Sequence, residues 1–228
     1  MKSIVIVFIV LLFSNYTVLR AQSEKRSVNP FSSISMGVAG DCYITQGNTV
    51  SLEVEGDEDD LEDLITEVRN ETLYIKYERS GWNFRHDRVT IHVTTPEISE
   101  ISLGGSGKVV SRNMLESDQL KISVSGSGKM TLNVNADDIQ ASISGSGNMT
   151  ITGNADEVEL TISGSGNMDA EELKVDRYEV RISGSGRSRI HVGDELEAKI
   201  SGSGSVYYTG DPDKVISNVS GSGRVKKF

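Results

Sequence analysis

One three-residue phrase, Gly-Ser-Gly, occurs seven times in this sequence and limits the possible folds more than any other feature. Successive copies are 18 to 21 residues apart and begin at residues 105, 126, 145, 164, 184, 202 and 221. Six copies extend to an apolar residue followed by Ser-Gly-Ser-Gly, as in Val124–Gly128. A period near 20 residues is typical of a solenoid, in which each repeat forms one turn, or rung, of a stacked coil. The sequence therefore predicts a repeat architecture over more than half of the chain.

Each repeat contains two short strands. In the unit 129–147, apolar residues alternate with polar ones over 130–134 and again over 139–143, which is the pattern of half-buried strands. Residues 136–138 are of turn type and separate the two strands. Two strands alone are marginally stable in water, so rungs must stack at about 4.8 Å to bury their apolar sides. The expected fold is a parallel, single-stranded β-helix with two-strand rungs of about 19 residues.

The two glycines of each phrase are predicted to form the corner of a rung. Glycine adopts positive φ without steric cost, and its missing side chain lets successive corners stack closely. The serines are expected to hydrogen-bond neighbouring backbone in these turns. A flexible Gly/Ser linker is disfavoured because periodic apolar strands separate the copies. The predicted corner residues are Gly105, Gly107, Gly126, Gly128, Gly145, Gly147, Gly164, Gly166, Gly184, Gly186, Gly202, Gly204, Gly221 and Gly223.

Charged residues also follow the repeat. Midway between the phrases the sequence carries Asp118, Asp137, Asp138, Asp156, Glu157, Asp176, Asp194, Glu195, Asp211 and Asp213. Directly after the phrases it carries Lys108, Lys129, Asn148, Asn167, Arg187 and Arg224. One edge of the coil is therefore predicted to be acidic and the opposite edge neutral to basic. Solvated turn residues explain this pattern, and an extended recognition or cation-collecting edge is the alternative.

The N-terminus has the pattern of a secretory signal peptide covering residues 1–21. Lys2 precedes an apolar run over 4–13, which is too short to span a bilayer, and cleavage is expected after Ala21. No transmembrane segment is predicted elsewhere. The remaining chain has 21 basic and 33 acidic residues, a net charge of −12, which argues against nucleic acid as a partner. Its one cysteine, Cys42, is expected to be a buried apolar residue.

Residues 22–103 are predicted to form an irregular β region that caps the solenoid formed by residues 104–228. Several alternating stretches predict strands, and one helix is predicted over Asp57–Arg69. Four acidic residues at its start favour the positive end of the helix dipole. A calcium site in this run lacks the glycine of an EF-hand loop, so helix capping is the preferred interpretation. At the other end of the chain, the lysines of Val225–Phe228 are expected to discourage edge-to-edge pairing.

No residue is predicted to be catalytic or to bind a cofactor or metal. The phrase lacks the G-x-S-x-G spacing of a nucleophile elbow, and Gly104–Lys108 lacks the spacing of a phosphate loop. His86, His92 and His191 lack zinc-ligand spacing. Acidic pairs are abundant, but nothing singles out one pair as that of a glycosidase.

The most site-like segment lies between two predicted strands and combines aromatic residues with arginines. Such side chains suit sugar rings or a protein partner. Alternatively, Trp82 and Phe84 fold over the open end of the solenoid as a hydrophobic cap. The candidate contact residues for a ligand or partner are Tyr74, Tyr77, Arg79, Trp82, Phe84 and Arg85.

Several stretches together resemble the bacterial head GIN domain family, described as putative auto-transporter adhesins. They are Gln46–Gly47, Leu52–Asp57, Asn70–Ile75 and the Ser-Gly-Ser-Gly run after Leu103. The resemblance covers roughly residues 28–228. It implies an exported protein of Bacteroides-like, Gram-negative bacteria that folds as a right-handed parallel β-helix related to pectin-lyase-like solenoids. The family has no established catalytic residues, and the adhesin label alone suggests a homotrimer.

The expected function is that of a non-catalytic structural or adhesin-like protein, periplasmic or at the cell surface. It would present a rigid solenoid for cell-surface adhesion or assembly, with a glycan or a cell-surface protein as its partner. A polysaccharide-binding module that uses the Trp82 loop is an alternative from a different class. A pectin-lyase-like carbohydrate-active enzyme is a further alternative, because related folds host such enzymes although fold does not fix function.

Overall fold

The computed structural model describes residues 22–79 and 86–228, and these form 18 strands and one short helix. The helix is α1 (Glu58–Asp63). The strands are β1 (Gln22–Arg26), β2 (Ser33–Met36), β3 (Gly40–Gln46), β4 (Ser51–Gly56), β5 (Leu64–Arg69), β6 (Thr72–Tyr77), β7 (Val89–Thr95), β8 (Glu100–Gly105), β9 (Lys108–Gly126), β10 (Lys129–Gly145), β11 (Asn148–Gly164), β12 (Asn167–Ala170), β13 (Leu173–Gly184), β14 (Arg187–His191), β15 (Glu195–Gly202), β16 (Ser205–Thr209), β17 (Lys214–Gly221) and β18 (Arg224–Lys227).

The strands form a parallel β-solenoid of about seven turns, which confirms the predicted fold class. In the first ladder of paired strands the order is β1–β4–β7–β3–β9–β10–β11–β12–β14–β16–β18. In the second ladder it is β5–β6–β2–β8–β9–β10–β11–β13–β15–β17. Strands β9, β10 and β11 continue around a corner and therefore belong to both ladders.

Alternation places the apolar side chains inside the coil. In β10 and β11 nearly every second residue is buried, and the buried residues of one rung lie above those of the next. The predicted burial of Cys42 is confirmed: it lies in this core, and burial raises the pKa of its thiol to about 12. No helix in the described part of the chain is long and apolar enough to cross a membrane.

The order of the first rungs in space differs from their order in the sequence. Strand β2 lies between β6 and β8, and β3 lies between β7 and β9. The first rung of the chain is thus inserted between the two rungs that follow it. Beyond them, β4 and β1 extend the first ladder in antiparallel fashion, and β5 does the same for the second.

Helix α1 connects β4 of the first ladder to β5 of the second, at the N-terminal end of the stack. Its residue Leu61 is buried. The guanidinium group of Arg26 in β1 donates to the carbonyl oxygens of Leu61, at 2.6 Å, and of Leu64. Helix, strands and arginine together cover this end of the core.

The prediction of a helix over Asp57–Arg69 is wrong in its second half. The helix ends at Asp63, and Leu64–Arg69 form β5, which pairs with β6 through a two-residue hairpin loop. The loop residues Asn70 and Glu71 have φ values of 47° and 59°. Positive φ at both central residues is the geometry of the type I′ turn that joins antiparallel strands. Pairing along β6 therefore overrides the helical spacing of the apolar residues.

The corners depend on backbone contact between glycines. Gly145 has a φ of 106°, and a Cβ atom built there would lie 2.8 Å from the carbonyl oxygen of Gly126 in the preceding rung. Gly105 has a φ of 84° but begins the stack of corners, and nothing lies within 4 Å of its Cβ position. Backbone bonds close the corner, as between the Ser146 amide and the Gly126 carbonyl at 2.9 Å.

This difference predicts that Gly145→Ala is more destabilising than Gly105→Ala. Both variants carry the strain of positive φ, which costs about 1 kcal/mol or more, but only Gly145→Ala also forces two rungs apart. We expect Gly145→Ala to lower the free energy of unfolding by at least about 2 kcal/mol, measured by urea titration. Equal losses in the two variants would contradict close stacking at the corners.

Candidate functional site

The predicted contact segment is described only in part. Trp82, Phe84 and Arg85 lie outside the described residues. Tyr74 lies on β6 with 37% of its surface exposed, and Tyr77 ends the same strand half-buried. The structure thus places Tyr74 on the outer surface, and Tyr77 and Arg79 in a polar cluster beside α1.

Five side chains form this cluster, which we call the anchor cluster: Asp60, Asp63, Tyr77, Arg79 and His86. The ring of His86 bonds Asp60 Oδ1 through Nδ1 at 3.0 Å and the Arg79 carbonyl oxygen through Nε2 at 2.9 Å. Arg79 donates from Nε to Asp63 Oδ1 at 2.8 Å. The ring of Tyr77 stacks on that of His86, with centroids 3.6 Å apart. The cluster therefore fixes the residues on both sides of 80–85.

The geometry of α1 explains why its two carboxylates act together. Asp60 and Asp63 are three residues apart, so they share one face of the helix. Only 7% and 2% of their surfaces are exposed, and buried carboxylates require hydrogen-bond partners. The partner of Asp63 is Arg79, 16 positions further along the chain, and the partner of Asp60 is His86, 26 positions further along. The sequence predicts a capping role for Asp60 and no role for Asp63, and it does not indicate the cluster.

Charge and burial act together on the titration of the cluster. The hydrogen bond from Arg79 lowers the pKa of Asp63. Burial lowers the pKa of His86, but its bonds to the Arg79 carbonyl and to Asp60, with the charge of Asp63, outweigh this and raise the pKa above its ordinary value. Burial and the charge of Asp60 raise the pKa of Tyr77 to about 12. A protonated His86 donates from both ring nitrogens and presents a cation to the Tyr77 ring.

The raised pKa of His86 predicts a pH-dependent contribution to stability. Protonation is favoured in the folded state, so this contribution is complete below the unfolded pKa, about 6.5, and is lost as pH rises through the folded pKa. We expect His86→Gln to reduce the free energy of unfolding more at pH 6 than at pH 9. Urea titrations at both pH values measure this difference.

The matched control is His92→Gln. His92 is a half-buried histidine outside the anchor cluster, and its ring stacks on that of Tyr43 with the centroids 5.3 Å apart. His92→Gln therefore measures what the loss of a histidine elsewhere on the solenoid costs. An equal cost of His86→Gln at pH 6 and pH 9 would contradict a protonated His86 in the anchor cluster.

Asp60 of the anchor cluster and two neighbouring carboxylates have the spacing of metal ligands. The ligand oxygens of Asp57, Asp60 and Asp87 all lie within 4.8 Å of one another, and the described residues contain no other such group. Both oxygens of Asp60 already accept hydrogen bonds, from His86 and from the backbone amide of Asp87 at 3.0 Å. This arrangement fits a structural role in holding the ends of 80–85.

The acidic and basic positions of the repeats stack into columns along the solenoid. The exposed side chains of one column are Asp118, Asp137, Asp156, Asp176, Asp194 and Asp213. The column after the phrases contains Lys108, Lys129, Asn148, Asn167, Arg187, Ser205 and Arg224. The pairing register thus places one acidic column and one neutral-to-basic column at two different positions around each rung.

The first serine of each Ser-Gly-Ser-Gly unit forms a further column, which we call the serine column. Each is the next-to-last residue of a strand in the second ladder and has an exposed side chain; in order they are Ser125, Ser144, Ser163, Ser183, Ser201 and Ser220. The expected hydrogen bonds from serine hydroxyl groups to the turn backbone do not occur in this column within the described residues, and backbone amides and carbonyls close the corners. The hydroxyl groups therefore face outward.

A groove lies beside the acidic column. Its volume is about 510 Å³, its floor is formed by Leu120 and Ile139, and its walls carry mostly polar groups. The lining residues are Ser99, Glu100, Gln119, Leu120, Lys121, Asp138, Ile139, Gln140, Glu157 and Glu159. This groove can accept hydrogen-bonding groups along several rungs. None of its residues is a histidine, cysteine or tyrosine.

The chain matches one family model over residues 30–212, described as "Putative auto-transporter adhesin, head GIN domain". No curated protein sequence matches it significantly. Among solved structures, a putative adhesin from Bacteroides fragilis NCTC 9343 has a TM-score of 0.87 and 24% identity, covering 92% of this chain and 97% of that chain.

Two further structures come from the genus Parabacteroides. A putative lipid binding protein from Parabacteroides distasonis ATCC 8503 has a TM-score of 0.74 and 24% identity, covering 91% of this chain and 96% of its own. A putative adhesin from Parabacteroides merdae ATCC 43184 has a TM-score of 0.72 and 22% identity, covering 92% and 96%. At these identities the likeness shows a shared fold, and none of the names is that of an enzyme.

Proposed function

The chain belongs to the head GIN domain family, described as putative auto-transporter adhesins, and on that basis we propose that it is a non-catalytic exported protein that presents a rigid solenoid for cell-surface adhesion or assembly. The observation that carries this proposal is the serine column, which repeats one exposed hydroxyl group in six successive rungs. Several weak contacts with one partner, one from each rung, together give strong binding without a single deep binding site. A glycan or a cell-surface protein is the kind of partner that such a polar surface suits.

Export is supported by the signal-peptide pattern of the sequence, in which Lys2 precedes a short apolar run over 4–13. The signal peptide itself, residues 1–21, lies outside the described residues. The origin of the structural neighbours in Bacteroides and Parabacteroides supports a Gram-negative host, with the protein in the periplasm or at the cell surface.

If the protein lies at the cell surface, a membrane-impermeant amine reagent should label its lysines on intact producing cells. Lys121, Lys129 and Lys174 have exposed side chains, so a folded chain can be labelled without being cut. We expect labelling on intact cells, measured by mass spectrometry, while a periplasmic marker protein stays unlabelled. Labelling only after the outer membrane is permeabilised would contradict surface adhesion and leave periplasmic assembly.

A polysaccharide-binding role for the Trp82 loop is a second proposal, favoured by the anchor cluster. This cluster holds the residues on both sides of 80–85, while Tyr74 on β6 is exposed. Trp82→Ala should then lose retention on immobilised polysaccharides while its melting temperature stays that of the parent protein. Tyr207→Ala, in a rung near the other end, is the matched aromatic control.

The opposite result of this experiment favours the capping interpretation. A lower melting temperature of Trp82→Ala with unchanged retention would mean that the tryptophan covers apolar surface. The same polysaccharides provide a test of the enzyme alternative. Release of new reducing or unsaturated ends by the purified protein would overturn the non-catalytic proposal.

A further inference from the structure

The two ends of the solenoid differ in whether the core is covered. Within the described residues, β17 pairs only with β15 and β18 only with β16, so the last rung has one free edge in each ladder. Val215 and Val219 of β17 are 41% and 40% exposed. Leu196 and Ile200, one rung earlier in the same two columns, are 0% and 1% exposed. Within the described part of the chain, no residue stacks on these two core positions of the last rung.

The rim of this open rung is basic. It carries Lys214, Arg224, Lys226 and Lys227. Lys214 pairs with Glu195 at 2.6 Å, and Lys227 pairs with Asp211 at 2.7 Å. The side chains of Arg224 and Lys226 are exposed and form no ion pair with any described residue. Two uncompensated cations thus lie on the free edge of β18.

The opposite end is closed and acidic. Helix α1 covers it, and Glu58, Asp59 and Glu62 point into solvent there without an ion pair to any described residue. At this end, too, each ladder has a free edge, because β1 pairs only with β4 and β5 only with β6. Each end also has one exposed charge of the other sign without an ion pair to a described residue, Lys25 at the helix end and Asp213 at the last rung. Three carboxylates against one lysine, and two cations against one carboxylate, leave the two ends opposite in net charge.

Strand direction permits the two ends to meet. All first-ladder strands from β7 to β18 are parallel, and β1 has the same direction because it is antiparallel to β4, which is itself antiparallel to β7. In a coaxial stack, β1 of one copy can pair with β18 of another as a parallel strand. In the second ladder, β5 would meet β17 as an antiparallel strand.

We propose that copies of this chain associate head to tail, with the open C-terminal rung of one copy docked on the acidic N-terminal end of the next. Contact between two C-terminal rungs would instead bring lysines and arginines together, and such like-charge contact is costly. The edge lysines thus act against that arrangement while they match an acidic partner. A head-to-tail contact does not close on itself, so it produces linear chains of molecules. This inference is independent of adhesion.

The first test is sedimentation velocity of the purified protein from low to high concentration. Head-to-tail association predicts species larger than a dimer at low salt, and fewer of them as salt screens the charges. A protein that stays monomeric at all concentrations would overturn the proposal. So would a single dimer whose amount does not depend on salt.

Charge-swap variants identify the surfaces involved. The cap variant is Glu58→Lys with Asp59→Lys and Glu62→Lys, and the rung variant is Arg224→Glu with Lys226→Glu. Each alone should associate at least about tenfold more weakly than the parent protein, because its two ends carry the same charge. An equimolar mixture should recover association, since every end then finds an opposite one. A cap variant that still associates alone, or a mixture that stays monomeric, would overturn the proposal.

Two controls separate this effect from misfolding and from net charge. Asp137→Lys with Asp156→Lys changes charge on the side of the rod and should associate like the parent protein. Glu62→Lys alone is the second cap variant, because a cation suits the last turn of a helix. Matching circular dichroism and melting temperatures establish that the variants are folded. A side variant that associates as weakly as the rung variant would contradict an end-to-end interface.

Discussion

The whole structure depends on how closely the backbone of one rung approaches that of the next. Parallel strands repeat at about 4.8 Å, and every turn of the chain must keep that spacing. At the corners a Cβ atom would meet the previous carbonyl oxygen at 2.8 Å at Gly145 and at 2.4 Å at Gly184. Only glycine satisfies this distance together with positive φ. The repeated glycines are therefore a consequence of stacking, and the apolar columns inside follow from the same register.

Stacking also explains what the N-terminal region must do. A parallel ladder has no natural end, and its edge strands expose unpaired amides and carbonyls over an open core. Antiparallel strands β4, β1 and β5 extend both ladders, and α1 crosses between them. The bond from Arg26 to the Leu61 carbonyl joins strand β1 to that helix. The anchor cluster uses the same helix, so the cap and the residues beside 80–85 share one support.

The local spacing of residues predicts most of the fold. The remaining features depend on contacts between residues that are far apart in the sequence. The spacing of the phrases and the alternation in 129–147 were enough to predict parallel rungs. Neither pattern predicts that β2 lies between β6 and β8. The alternation of apolar residues in a strand does not indicate which strands are its neighbours. The helix over Asp57–Arg69 failed for a related reason: Leu64 and Val68 fit both a helical stripe and a strand. Pairing with β6 across the turn at Asn70 and Glu71 decides between them.

The candidate site shows the same division. The exposure of Tyr74 follows from its position on β6, but the anchor cluster joins Asp60 to His86 and Asp63 to Arg79 across gaps that no local pattern bridges. The sides of the rod, in contrast, follow directly from the repeat. Because each rung contributes one residue to every column, changing one serine removes one contact of six. A surface built in this way binds through repetition, so its strength depends on the number of rungs in contact with the partner. End-to-end association would lengthen these columns, and the two properties would then reinforce each other.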